Sequence, residues 1–292
     1  MDYVTIRVST LRGDQKINFN AFVKINDKMI LYLRSGDSFE GDRLKRLKEK
    51  KLRKMFITTE DEHQYRSYLL NNIEVAYNDN SGKDLKTRSE IIQGMQQSNV
   101  DDVLENPQNE ESYNIAKEDA NKYVQFLLNN SGALNSIMDI QNQDQNLAHH
   151  GVSVATLAVG LAQKLKIDDK QTLGYLTMGG FLHDFGHMDS TINYNKPLKE
   201  MSTQELKIYH AHAKNGADKV AALKHFDRPI VTIINEHEEC IDGSGPQKMR
   251  EGQQDPMSVL ISTANACDRL IAYEGVPKLE VAKTLMINQV GR

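Results

Sequence analysis

His150, the pair His183-Asp184, His212, the pair His237-Glu238, and Asn265 with Asp268 form five islands of imidazole and oxygen donors in the second half of the chain. Each sits in a segment that reads as helix, and they are separated by helix-length stretches. A ring of helices around a shared metal site would give this pattern. In His183-Asp184 the imidazole can place a neutral nitrogen on one ion while the carboxylate bridges to a second. A helical histidine taken alone is more often a hydrogen-bonded core or surface residue, so the argument rests on their recurrence.

The elements that must position these groups are legible in the apolar spacing. From about Leu134 onward the chain reads as nearly all helix. Val154, Leu157, Leu161 and Leu165 recur at helical spacing, with His150 one turn before Val154 on the same stripe. His149 is rotated ~100° from that stripe, so His150 is the one expected to face the core. Ser202 and Glu205 have the spacing of a capping box that opens the helix carrying His210 and His212. Two residues apart, those histidines point in nearly opposite directions, and only one can reach a site. Gly216, one turn beyond His212, would let another backbone approach closely.

The first part of the chain reads differently. Val4, Ile6 and Val8 alternate with polar neighbours as in a half-buried strand. Runs from Phe22 to Ile25 and from Met29 to Leu33 meet across Asn26-Asp27, a hairpin pattern. Ser38 is a candidate cap for a helix carrying Leu44 and Leu47, and Lys54 to Thr58 reads as another strand. Thr59 with Glu62 has the spacing of a capping box opening a helix through Ile73. Two further helical stretches, Leu85 to Leu104 and Tyr113 to Leu128, flank a polar segment containing Pro107. The expected organisation is α+β, with a small N-terminal α/β domain over 1–80, a helical connector over 81–133 and an all-α helical bundle over 134–292.

At 292 residues two domains are the default expectation. Hydrophobic content of 39% with 26% charged residues fits a soluble globular protein, and a formal charge of −4 gives no electrostatic reason to expect a nucleic-acid polymer as partner. No apolar run approaches the ~20 residues needed to span a bilayer, so no membrane partner is expected. The opening residues lack a signal-peptide pattern. Cys240 and Cys267 read as reduced packing residues, and the expected compartment is the cytoplasm.

The islands also carry a resemblance. His150 with Val154 is similar to an opening HxxRV helix, and FLHDFGH at 181–187 to LHDIGK. Asn195-Lys196-Pro197 followed by Met201 to Glu205 resembles a KPG-LT-E segment. HAKNG at 212–216 resembles an HxxxG helix, HEECIDGSGP at 237–246 an HHExxDGSGYP loop, and TANACD at 263–268 an ADxxDA helix. Together these resemble the HD-GYP subgroup of the HD superfamily of metal-dependent phosphohydrolases, over roughly Asn146 to the C-terminus. The resemblance implies an HD-type bundle, two divalent ions, and hydrolysis of cyclic di-GMP by a hydroxide that bridges them. It assigns His150, His183, Asp184 and Asn265 to one ion, with Asp184 bridging to a second held by His212, His237 and Glu238. Imidazole and carboxylate donors around a bridged pair suit iron first and manganese next.

The departures from the family pattern are specific. The signature Tyr is missing, since Ser244-Gly245-Pro246 is one residue short. Glu238 stands where the pattern has a second His, Asn265 where it has an acid, and His187 where it has a phosphate-binding Lys. Ser153 replaces the Arg of HxxRV, and Tyr273 to Pro277 stands in place of a basic loop. A diphosphate ligand needs cationic or backbone donors. Lys196 remains as a phosphate partner, with Arg269 and Arg228 as further cations. Asp242 and Gly243 on the loop, and Asp268, are the other candidate substrate contacts. Asp184 and His187 are the candidate catalytic residues, His187 as phosphate contact or proton donor to the leaving oxygen. Glu239 is expected to orient a metal-bound histidine.

Two readings stay open on these residues. One is a phosphodiesterase acting on a cyclic dinucleotide or another phosphodiester. The other is a catalytically weak or inactive module that binds a nucleotide or a signalling protein, with a homodimer as a further expectation. Retention of nearly every metal donor favours the enzyme, and the altered loop and lost cations favour the module.

Overall fold

The computed structural model describes residues 2–40, 42–140 and 146–288, and these fall into two compact units. The first comprises the described residues within Met1–Ser98 and Asn135–Asn146, and the second those within Asn99–Leu134 and Leu147–Arg292. The architecture is α+β, as expected. The stretch 81–133 is divided between the units, with α3 (Leu85–Glu105) passing from the first to the second after Ser98.

The first unit is built on a four-stranded antiparallel sheet, β1 (Tyr3–Arg7), β2 (Ala21–Ile25), β3 (Lys28–Leu33) and β4 (Lys54–Thr58), in the order β1-β4-β2-β3. The β2–β3 turn has Asn26 at φ 48° and Asp27 at φ 61°. Two successive left-handed residues match the twist of the flanking strands, and Asn and Asp tolerate that region better than most. With α1 (Arg43–Glu49) and α2 (Glu62–Tyr77), the sheet encloses a core in which Phe19 meets Tyr65 and Tyr68 edge-on, at 5.5 and 5.7 Å between centroids.

Two expected caps do not form. Ser38 lies in an isolated bridge with Lys16, and α1 begins only after Asp42. Thr59 stays tied to the sheet, its N–H donating to Asp2 O at 3.1 Å. A 3-10 turn over Thr59–Asp61 therefore intervenes before α2. Tertiary pairing outbids the local capping motif in both places.

The second unit is helical. After α4 (Glu110–Asn129), and past α5 (Ala133–Met138), which belongs to the first unit from Asn135 on, come α6 (Leu147–Lys164), α7 (Lys170–Leu182), a 3-10 turn over Phe185–Asp189, α8 (Thr203–Ala221), α9 (Arg228–Glu236), α10 (Pro256–Ala272) and α11 (Lys278–Asn288). The Ser202–Glu205 capping box is present in both directions and starts α8 one residue later. Asn109 caps α4 by accepting from the N–H groups of Glu111 and Ser112.

Glycines set the close approaches that position the site. A Cβ on Gly151 of α6 would lie 2.6 Å from Phe181 O of α7, and one on Gly180 would lie 2.6 Å from Ala155 Cα. Their absence lets α6 and α7 pack backbone to backbone, bringing His150 beside His183. Gly216 does the same for α8. A Cβ there would sit 2.7 Å from Gly186 N, in the turn directly after Asp184. Ile230, Ile233 and Ile234 bury the inner face of α9 and deliver His237 at its C-terminal end. Among the described residues no helix is long and apolar enough to cross a membrane.

Candidate metal centre

Four elements of the second unit converge on Asp184. His150 comes from α6, His183 and Asp184 from the end of α7, His212 from α8, and His237 and Glu238 from the end of α9. Asp184 Oδ1 lies 3.1 Å from His212 Nε2, 3.4 Å from His237 Nε2 and 3.5 Å from His183 Nε2. Its Oδ2 lies 3.6 Å from His150 Nε2. All these side chains are buried, except that Glu238 is partly open.

Hydrogen bonding fixes which ring nitrogen carries the proton. His183 Nδ1 donates to Gly180 O at 2.8 Å, His237 Nδ1 to Ile234 O at 2.9 Å, and His212 Nδ1 to Tyr209 O. A backbone carbonyl only accepts, so each Nδ1 bears hydrogen and each neutral Nε2 turns a lone pair inward. With both rings neutral, His212 Nε2 and His237 Nε2 face each other at 2.9 Å with no proton between them. The same holds on the other side. His150 Nδ1 donates to Asp268 Oδ2 at 2.6 Å, leaving Nε2 to face Asn265 Oδ1 at 3.1 Å. The Asn265 amide is held in that orientation because Nδ2 donates to Glu238 Oε1 at 3.3 Å.

Lone pairs converging on a buried carboxylate need a cation. His183 Nε2 and Asp184 Oδ1 have no hydrogen-bond partner despite complete burial. In the protein alone, protons supply part of the relief. Burial works against protonating His150 and His212, but Asp268, hydrogen-bonded to His150, and the Asp184 carboxylate 3.1 Å from His212 outweigh it and lift both above the usual histidine range. Burial pulls His183 down to about 3, so that ring stays neutral. Asp184 is held ionised by the surrounding histidines against the effect of burial. Three groups have the spacing of an ion's ligands: His150, His183 and Asp184; Asp184, His187 and His212; and His212, His237 and Glu238. Such mixed nitrogen and carboxylate sets fit a divalent transition ion.

The remaining predicted residues are placed as follows. His187 is buried between rings, stacked on His212 at 3.8 Å and on Tyr194 at 4.7 Å, with neither ring nitrogen hydrogen-bonded. Burial holds its pKa well below the usual value, His212 adding to the effect. Lys196 pairs with Glu205 at 3.2 Å, and Asp268 is committed to His150. A cleft of about 560 Å³ opens over His237, Glu238 and Asn265, with Ser244 to Pro246 on its rim. Asp242 is exposed and accepts from Ser244 N at 2.8 Å, and Gly243 makes the turn at φ 80°. Of the vicinal histidines, His150 reaches the centre; His149 is buried too but elsewhere on the helix. His212 points inward, whereas the His210 side chain is 44% exposed.

One expectation is overturned. Glu239 does not orient a histidine. Its carboxylate accepts from Gln247 N at 2.6 Å and Met249 N at 2.9 Å, and so closes the rim loop. Sequence reasoning also missed Tyr209 and Tyr194. Tyr209 donates to Glu238 Oε1 at 3.0 Å, and its only advance signal was a position one residue before His210 on the helix facing the site.

This geometry agrees with comparison to known proteins. An HD domain is recognised over residues 147–272. Over its whole length the chain is 58% identical to Bd1817, an HDG"Y"P protein from Bdellovibrio bacteriovorus, with a TM-score of 0.95 and 95% of that chain covered. The chain belongs to the HD-GYP family. Over 146 residues the chain is 29% identical to the cyclic di-GMP phosphodiesterase PA4108 of Pseudomonas aeruginosa. That match takes in 49% of this HD-GYP chain and 34% of the curated relative, so the chain spans about a third of that protein's length.

Proposed function

We propose that this protein is a metal-dependent phosphodiesterase that takes cyclic di-GMP or a closely related phosphodiester. The observation that carries it is the set of facing lone pairs around Asp184, which protons alone satisfy poorly and two divalent ions would satisfy together. His150, His183, Asp184 and Asn265 would hold one ion, and Asp184, His212, His237 and Glu238 the other. Bound there, two ions would make a nucleophile from water at neutral pH and offset charge growing on the phosphoryl oxygens.

The chain's own residues then have distinct tasks. The backbone carbonyls of Gly180, Tyr209 and Ile234 hold three imidazoles in one tautomer, and Asp268 does the same for His150. Tyr209 and Asn265 together orient Glu238. The buried ring of His187 keeps bulk water from one side of Asp184 and stays neutral, with both ring nitrogens open to a hydrogen or ligand bond. The relatedness to a cyclic di-GMP phosphodiesterase supports the substrate class.

Metal content measured on anaerobically purified protein, with cyclic di-GMP turnover followed on the same sample, tests this reading. Two iron or manganese ions per chain with a linear dinucleotide product is the expected result. Two ions without turnover of any phosphodiester would favour a binding module for a nucleotide or signalling protein.

A further inference from the structure

Arg269 is a buried cation without an anion. It lies one turn after Asn265 on α10 and is 5% exposed. Nη1 and Nη2 share a single acceptor, Tyr194 O, at 3.4 Å each, and Nε has no partner. Among the described residues no carboxylate oxygen comes within the 4.0 Å of an ion pair with it. The guanidinium instead lies over the rings of Tyr209 at 4.9 Å and Tyr273 at 5.1 Å. Aromatic faces stabilise a cation without using its N–H donors.

A guanidinium has five donors in a fixed fork, and leaving them unsatisfied in a dry site is costly. Arg269 lines the same cleft as His237, Glu238 and Asn265, so the unsatisfied edge borders the candidate metal centre. Metal loading would sharpen the imbalance. Asp184, Glu238 and Asp268 are outweighed by two dications plus this guanidinium, leaving the pocket net positive and ready for an anion. The hydroxyl of Tyr273, beside Arg269, is also buried without a partner.

We propose that Arg269 is the phosphate-binding residue of this site, donating to a non-bridging phosphoryl oxygen of the substrate. It supplies a cation that neither His187 nor the loop from Tyr273 to Pro277 provides, and the tyrosines around it set its direction. Planar, two-point recognition of a phosphoryl group is the chemistry arginine performs better than lysine. The proposal rests on the phosphodiesterase reading, but its first readout does not require turnover.

The test compares metal-loaded wild-type protein with Arg269→Gln and Arg269→Lys. Inorganic phosphate binding is followed by calorimetry, metal content by elemental analysis, and kcat and KM with bis(p-nitrophenyl) phosphate. Arg269→Gln should keep its ions, bind phosphate about 10- to 100-fold more weakly and raise KM, with Arg269→Lys recovering part of the loss. Equal phosphate affinity in wild type and Arg269→Gln at equal metal content would overturn the assignment. So would absence of phosphate binding by the metal-loaded wild type. Loss of the ions from Arg269→Gln would assign the residue to holding the site together and overturn it as well. Phosphate binding that depends on Arg269 without hydrolysis of any diester would leave this inference standing and remove the phosphodiesterase.

Discussion

Asn265 donates from Nδ2 to Glu238 Oε1 at 3.3 Å, so the two main departures from the HD-GYP ligand pattern meet in one hydrogen bond. An acid at position 265 would put a second carboxylate against Glu238, whereas the amide gives that carboxylate a donor and turns its own oxygen toward His150. The two substitutions are complementary.

That complementarity makes Asn265→Asp costly when introduced alone. Losing the donor and setting a buried carboxylate against the partly open one of Glu238 should destabilise the metal-free protein by about 1–3 kcal/mol. Glu238→His in the same chain should recover much of it. Thermal unfolding of both single variants and the double variant gives the coupling, and additive effects would mean that the two positions do not communicate.

Asp184→Ala should lose both ions, because Asp184 is the group toward which four imidazoles turn. Elemental analysis of the purified variant decides this. A variant retaining two ions per chain would remove Asp184 from the bridging role.

Metal should stabilise the second unit more than any single side chain does. At a free ion concentration 100 times Kd, each ion adds about 2.7 kcal/mol to the folded state if the unfolded chain binds none. Stripping with a chelator should therefore lower Tm, and readdition of iron or manganese should restore it. An unchanged Tm at confirmed loading would contradict a site whose lone pairs await a cation.

Gly216→Ala tests the close approach of α8 to the turn after Asp184. The added Cβ would lie 2.7 Å from Gly186 N, and the listing of α8 needed to relieve it would carry His212 away from Asp184. Overpacking of this kind costs about 1–3 kcal/mol. Weaker metal retention should accompany the lower Tm, as read by chelator competition.

Tyr209→Phe removes the hydroxyl that donates to Glu238 while keeping the ring against Arg269. A loss of about 0.5–1.5 kcal/mol in stability is expected. Fold and ring contacts being kept, the near-ultraviolet spectrum should otherwise change little, and a collapse of that spectrum would show that the ring position depends on the hydroxyl.

The sequence by itself determined the helical second half, the β2–β3 hairpin and the candidate donors. Apolar periodicity, the Asn26-Asp27 turn and the Ser202–Glu205 box are local signals, set by backbone preferences and by which face must leave water. Choosing His150 over His149 needed only the angular step of a helix, which also allowed just one of His210 and His212 to reach a centre, and the HxxxG resemblance named His212. Local signals failed where distant chain competed for the same groups. Thr59 gives its N–H to the sheet rather than opening α2, and Glu239 holds the rim loop rather than a histidine. Tautomers, facing lone pairs and the unpaired guanidinium of Arg269 belong to the tertiary structure alone. Each depends on what lies across from a side chain, and that partner comes from a helix far away in sequence, brought near by packing at glycines such as Gly151 and Gly216.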